Sequence, residues 1–72
     1  MNPNVAMLES VISAAVNAQY KEVPPTEKEF KALADTMRNN MAGSFPVTDD
    51  EYNDILYRLR TTLVVQMDTS FA

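Results

Sequence analysis

The sequence contains the same helix-start motif twice, and each copy follows a link that contains proline. Thr26 stands three residues before Glu29, and Thr48 stands three residues before Glu51. In this motif, the capping box, the threonine hydroxyl accepts the backbone N–H of the glutamate, and the glutamate carboxylate accepts the backbone N–H of the threonine. Two such motifs predict two helices with defined starting points. The chain is therefore expected to consist of separate helices joined by links.

A further helix is predicted before the first capping box. Asn2 suits the N-cap position, and Pro3 suits the first helical position because it has no amide hydrogen to leave unpaired there. Pro24 and Pro25 push the residues that precede them toward extended backbone. The first helix is therefore predicted to run from Pro3 to about Tyr20.

The second helix is predicted over residues 26–42 and the third over residues 48–67. Gly43 is expected to adopt the left-handed conformation that commonly closes a helix. Residues 62–67 are rich in β-branched side chains and are also compatible with a strand. Helix is favoured there because a single strand has no partner in this chain.

Apolar residues recur at helical spacing in all three segments, which predicts one shared core. They are Val5, Leu8, Val11, Ile12, Ala15, Val16 and Gln19; Phe30, Leu33, Ala34, Met37 and Met41; and Tyr52, Ile55, Leu56, Leu59, Leu63 and Met67. Short links that contain proline or glycine make successive helices antiparallel. The expected fold class is all-α: one domain over residues 1–72, an up-down-up three-helix bundle. The sequence fits a complete small protein and the amino-terminal domain of a larger one equally well.

Few residues in this chain can carry out chemistry. The sequence has no histidine and no cysteine, so the usual general base, thiol nucleophile and zinc ligands are missing. Gly43 is the only glycine, which excludes the glycine-rich phosphate loops. Asp50 and Asp54 lie one helical turn apart and could share a hard cation such as magnesium or calcium. The preferred explanation is that helix starts favour negative charge. We therefore expect no enzyme activity, no catalytic residues, no cofactor and no metal.

Charge and the apolar pattern also restrict the partners. Ten acidic and six scattered basic residues give a net charge of -4, so a nucleic-acid partner is not expected. Residues 1–20 lack the basic start of a signal peptide and are too polar for a membrane span. We expect a cytoplasmic location and no membrane partner, and no small-molecule substrate is evident.

The first helix has an apolar surface wider than two neighbouring helices can cover. Its only charged residue is Glu9. The residues that extend the apolar arc beyond the inward face are Met7, Val11, Ala14 and Ala18. They are predicted to contact a second copy of the chain or a different protein. The alternative is a harmless surface, because exposed apolar atoms are common on monomers.

Tyr57 and Val64 form a second candidate interface on the third helix, seven residues apart and off its main stripe. Exposed tyrosine is frequent in contact patches, and a tyrosine covering the edge of a small core is the alternative. The expected function is a non-catalytic helical module for protein–protein interaction or self-association. A small acidic regulator that masks a partner's basic surface, as nucleic-acid mimics do, is the other interpretation; the acids from Asp49 to Asp54 supply only a local patch for it.

Overall fold

A computed structural model describes residues 2–63 of the chain. It contains three helices, α1 (Pro3–Gln19), α2 (Glu27–Met41) and α3 (Asp49–Thr62), and this part of the chain has no β-strand. α1 packs against both other helices. The predicted all-α class is confirmed, and each helix begins within one residue of its predicted start.

The helix starts form through the predicted local hydrogen bonds. In the boxes of Thr26 with Glu29 and of Thr48 with Glu51, the threonine Oγ1 accepts the glutamate N–H at 3.1 Å. The glutamate Oε1 accepts the threonine N–H at 2.9 Å in both. Asn2 caps α1 with its side chain, as predicted. These bonds satisfy amides at the helix starts that have no partner within the helix.

The predicted left-handed cap at Gly43 is wrong. No described residue, glycine included, has a positive φ angle. Ala42 stays in the right-handed helical region, with φ -60° and ψ -29°. The N–H groups of Ser44 and Phe45 then donate to the carbonyl of Met41 at 3.1 and 2.7 Å. Because this turn satisfies the last carbonyl of α2, no left-handed residue is needed to end the helix.

α3 ends at Thr62, earlier than the predicted end near Met67. Leu63 has extended backbone, with φ -92° and ψ 151°. Thr61 and Thr62 each donate a hydroxyl hydrogen bond to the carbonyl of Arg58, at 2.8 and 2.9 Å. Threonine side chains that bond to the backbone in this way weaken helical preference, as does branching at Cβ. The choice between helix and strand for residues 64–67 lies outside the described residues.

The core is built almost entirely from the predicted stripes. Its buried residues are Val5, Leu8, Ile12 and Val16 of α1, Phe30 and Ala34 of α2, and Tyr52, Ile55, Leu56 and Leu59 of α3. Met37 and Met41 are half-buried against it, which agrees with core filling. Gln19 was assigned to the α1 stripe but is exposed, because the helix ends there. Pro25, predicted only as part of a link, is fully buried.

Ion pairs at the two ends of the bundle establish the directions of α2 and α3. Arg38 near the end of α2 pairs with Asp49 at the start of α3, with Nη2 2.8 Å from Oδ1. Arg60 near the end of α3 pairs with Glu27 at the start of α2. The two helices are therefore antiparallel.

α1 and α3 run in the same direction. The side chain of Asn2 donates to Glu51, which places the starts of the two helices together. Further along, Glu9 of α1 pairs with Arg58 of α3. The order is therefore up-down-up, as predicted.

Candidate protein-contact surface

The exposed surface of α1 carries no charge. The exposed residues of this helix are Pro3, Ala6, Met7, Ser10, Ala14, Asn17, Ala18 and Gln19. Because a helix repeats every 3.6 residues, its buried and exposed residues fall on different faces. The exposed residues are on the face that points away from α2 and α3. The inward side of the same helix supplies four buried residues to the core. α1 is therefore apolar inside and uncharged outside.

The one ionised side chain of α1 is directed at α3. Glu9 is half-buried, and its Oε1 accepts hydrogen bonds from Nη2 of Arg58 at 2.7 Å and from Nε at 3.1 Å. The hydrogen bond to Glu9 raises the pKa of the Arg58 guanidinium. Since the carboxylate is matched by a cation within the domain, it adds no unpaired charge to the outer side of α1.

Four residues on this uncharged side form what we term the α1 outer strip: Met7, Val11, Ala14 and Ala18. Met7 is 43% exposed, Ala14 and Ala18 are exposed, and Val11 is half-buried at the edge of the strip. The exposure expected for this apolar surplus is confirmed. Its use as an interface stays a prediction.

The outer sides of the other two helices are different, because they carry charges of both signs. Their exposed charged residues are Lys28, Glu29 and Lys31 on α2 and Asp49, Asp50, Asp54, Arg58 and Arg60 on α3. Charged side chains are depleted at the centres of protein interfaces, where they would have to lose their water. On this criterion α1 has the most suitable helix face for burial against another protein.

Tyr57 is the most exposed large apolar side chain on α3, at 68%. This exposure leaves the ring accessible to a partner, and its use in a contact patch stays a prediction. Val64, its predicted neighbour in a second patch, lies outside the described residues. The predicted contact residues therefore do not form one continuous helix face: Met7, Ala14 and Ala18 lie on α1, and Tyr57 lies on α3.

An open groove of about 420 Å³ lies where the end of α1, the first link and the end of α3 meet. Its apolar lining includes Val16, Tyr20, Pro25 and Leu63, and Lys21 is at its polar side. Sites for small ligands are usually concave pockets that enclose most of the ligand. This groove is open to solvent, so it lacks that enclosure.

Tyr52 is the titratable group whose pKa is most strongly displaced. Burial raises the pKa of its phenol, as does the hydrogen bond that the hydroxyl donates to Asp35. The guanidinium carbon of Arg38 lies 4.6 Å from the ring centroid, and Nζ of Lys31 lies 5.6 Å from it. A phenol held protonated between two helices and covered by cations is suited to joining α2 and α3, not to proton transfer with a substrate.

The acidic start of α3 is largely occupied by contacts within the domain. Asp49 pairs with Arg38, and Glu51 belongs to the capping box and accepts a bond from Asn2. Asp50 and Asp54 remain at the surface. The exposed acids at this helix start form a local patch, and the acidic-regulator interpretation stays an untested alternative.

Comparison with protein-family models, with curated proteins and with solved structures finds no match to this chain. Within residues 2–63, no group of three or more potential ligand side chains is placed to share a metal ion. No helix in the same range is long and apolar enough to cross a membrane.

Sequence reasoning identified the strip but missed the reason why it is uncharged. The partner of Glu9 is Arg58, which is remote in sequence. No local pattern pairs the two residues, because their contact depends on how α1 packs against α3. Ser10 and Asn17 also belong to the outer surface, and their lack of charge was visible in the sequence.

Proposed function

We propose that this domain is a non-catalytic module that binds protein surfaces through the α1 outer strip, whether the partner is a second copy or another protein. The observation that carries the proposal is that every exposed residue of α1 is uncharged, whereas α2 and α3 expose charges of both signs. Contiguous apolar surface rimmed by polar residues is typical of interaction sites.

The side chains of the strip suit such a contact. Met7 is unbranched and adaptable, and methionine is enriched at protein interfaces. Ala14 and Ala18 are small, so another helix can approach the backbone of α1 closely at these positions. Burial of apolar surface would then supply the association free energy, at roughly 25 cal/mol per Å² before the costs of association are subtracted.

The absence of catalysis is part of the same proposal. The chain has neither histidine nor cysteine, and the most displaced pKa belongs to Tyr52, whose hydroxyl bonds to Asp35 inside the α2–α3 contact. A catalytic acid or base has to reach a substrate in a cleft. The phenol of Tyr52 is engaged within the domain instead.

A cytoplasmic location also belongs to the proposal. Residues 3–19 form a helix whose Val5, Leu8, Ile12 and Val16 are part of the core. A stretch that supplies this much of the core is needed in the folded domain, which supports its retention in the working protein.

The proposal is tested with two matched variants, Ala14→Glu and Ala6→Glu. Both place a carboxylate at an exposed alanine of α1, but only Ala14 lies in the strip. Each protein is immobilised and incubated with extract from its source cells, and the retained proteins are quantified. The solution mass of each protein is measured in parallel by light scattering. Circular dichroism checks that both variants keep the helical content of the wild type.

We expect Ala14→Glu to lose a partner, either a retained protein or a second copy, that the wild type and Ala6→Glu keep. A buried carboxylate without a counter-charge costs several kcal/mol, which is enough to remove an interface of ordinary affinity. Identical behaviour of the two folded variants in both assays would refute the role of the strip.

A further inference from the structure

We infer that the partner of the α1 outer strip is a second copy of this chain, with the two α1 helices packed antiparallel about a two-fold axis between residues 12 and 13. This inference rests on the proposed function and goes beyond it, because it names the occupant and the register. The evidence is the order of large and small residues along the strip, together with the charges that surround it.

The strip has the spacing of a helix-pairing seam. Met7, Val11, Ala14 and Ala18 are separated by four, three and four residues, the alternation of the d and a positions of a heptad. Helices that pair through such a seam interlock side chains at successive layers. The seam spans about three turns of α1 and ends before the helix does.

An antiparallel pair with its axis between residues 12 and 13 places large side chains opposite small ones in every layer. Met7 of one copy lies opposite Ala18 of the other, and Val11 lies opposite Ala14. The two-fold axis repeats the same pairs in reverse order, which is the self-complementarity that an isologous interface requires. A parallel pair would instead place Met7 opposite Met7 and Ala14 opposite Ala14, which leaves one layer crowded and another empty.

Charge favours a second copy as the occupant. Each copy carries a net charge of -4, so two copies repel each other, and a contact surface without unpaired charge avoids adding to that repulsion. The α1 outer side meets this condition, because Glu9 is neutralised by Arg58 within each copy. The outer side of α3 exposes Asp50, Asp54 and Arg58, and these charged side chains would have to lose their water in a contact between copies.

The expected dimer is weak. α1 has 17 residues and is therefore about 25 Å long. A contact limited to one such helix from each copy is small beside the standard interface of about 1,600 Å². The dimer should accordingly form and dissociate reversibly, with a solution mass that rises with protein concentration.

Disulfide crosslinking tests the register, and the chain is well suited to it because it has no cysteine of its own. Equal amounts of the full-length single variants Met7→Cys and Ala18→Cys are mixed and oxidised with diamide. Crosslinked dimers are then resolved by intact mass, since the two variants differ in mass. A disulfide forms only where two Cα atoms approach within about 7 Å.

We expect the mixed 7–18 dimer to be more abundant than random pairing of the two variants would give. The 7–7 and 18–18 dimers should be less abundant than random pairing would give. The matched control replaces Met7→Cys by Ala6→Cys, which is next in sequence and exposed but outside the strip, and labels Ala18→Cys with ¹⁵N so that these two variants also differ in mass. In that mixture, the mixed dimer and the two dimers of like variants should form in the ratio that random pairing gives. An excess of 7–7 dimers, or equal ratios in the two mixtures, would overturn the antiparallel register.

Light scattering over a concentration series separates this inference from the proposed function. We expect the mass of the wild type and of Ala6→Glu to rise toward that of a dimer, and the mass of Ala14→Glu to stay monomeric. A wild type that is monomeric at every concentration overturns the second copy as partner. If Ala14→Glu then also loses a different retained protein, the proposed function stands while the inference of a self-paired dimer fails.

Discussion

Asn2 and Glu51 join the starts of two helices that are far apart in the sequence. The side-chain amide of Asn2 donates to Oε2 of Glu51 at 2.8 Å, while Oδ1 of Asn2 accepts the N–H of Asn4 at 2.9 Å. Oε1 of Glu51 accepts the N–H of Thr48. One asparagine therefore caps α1 and supports the capping box of α3, so these two helix starts stabilise each other.

The bonds to Glu51 predict a loss of stability in acid. The backbone N–H of Thr48, followed by the amide of Asn2, lowers the pKa of Glu51 below its ordinary value of 4.5. A carboxyl whose pKa is lower in the folded state contributes stability above its unfolded pKa and loses that contribution as the pH falls through the folded pKa. Urea unfolding at a series of pH values below 4.5 should show that the free energy of unfolding declines as the pH falls. The decline should be shallower in Glu51→Gln than in the wild type.

Asn2→Ser separates the two donors to Glu51. Serine can still cap α1, but it lacks the amide that reaches Glu51. The pKa of Glu51, followed by NMR titration of its carboxyl, should rise in this variant and stay below 4.5, because the Thr48 bond remains. An unchanged titration midpoint would mean that Asn2 does not stabilise the carboxylate.

The stability that Tyr52 contributes should be lost at alkaline pH, in contrast to that of Glu51. Burial and the bond to Asp35 raise the pKa of its phenol above the ordinary 10.0, so the folded protein retains this proton where the unfolded chain loses it. The contribution of Tyr52 to stability is therefore complete below pH 10.0 and declines as the pH rises above that value toward the folded pKa. In urea unfolding experiments, the free energy of unfolding of Tyr52→Phe should decline less above pH 10.0 than that of the wild type.

At neutral pH, Tyr52→Phe should lower the free energy of unfolding by about 1 kcal/mol, the usual net value of one hydrogen bond. Tyr57→Phe is the matched control, because Tyr57 is 68% exposed. It should have little effect on stability at neutral pH. Equal effects of the two substitutions would contradict a structural role for the Tyr52 hydroxyl.

The capping box of α3 should contribute measurably to folding. Thr48→Ala removes the oxygen that accepts the N–H of Glu51 and should cost about 0.5 to 2 kcal/mol. Thr36→Ala is a suitable control in the interior of α2, where the hydroxyl bonds to the carbonyl of Ala32 and alanine has the higher helical propensity. Thermal unfolding of the two variants should separate them clearly, with Thr36→Ala unchanged or slightly stabilised.

Gly43→Ala tests how α2 ends. The φ angle of Gly43 is not positive, and an added Cβ would meet no atom within 4 Å. Alanine should therefore stabilise the protein by about 0.4 to 1 kcal/mol, because it reduces the freedom of the unfolded chain. The midpoint of thermal unfolding should rise by a few degrees. A destabilised variant would indicate the left-handed cap that the sequence pattern predicted.

The features that were predictable from the sequence depend on residues close together in the chain. Both capping boxes join residues three apart, and each core stripe follows from the repeat of a single helix. The error at Gly43 arose because a glycine permits a left-handed cap without requiring one, and a turn through Phe45 satisfied the same carbonyl. The early end of α3 reflects the threonines before Leu63, whose hydroxyls compete for the helix backbone.

The sequence by itself determined where the helices begin, which residues form the core and that α1 carries a single charge. Only the tertiary structure decided that Glu9 meets Arg58, that Asn2 meets Glu51 and that Met7 remains exposed. The physical reason is that capping and periodicity act within a few residues of the chain. Pairing between helices and the exposure of a helix face depend instead on how the helices are oriented when they pack.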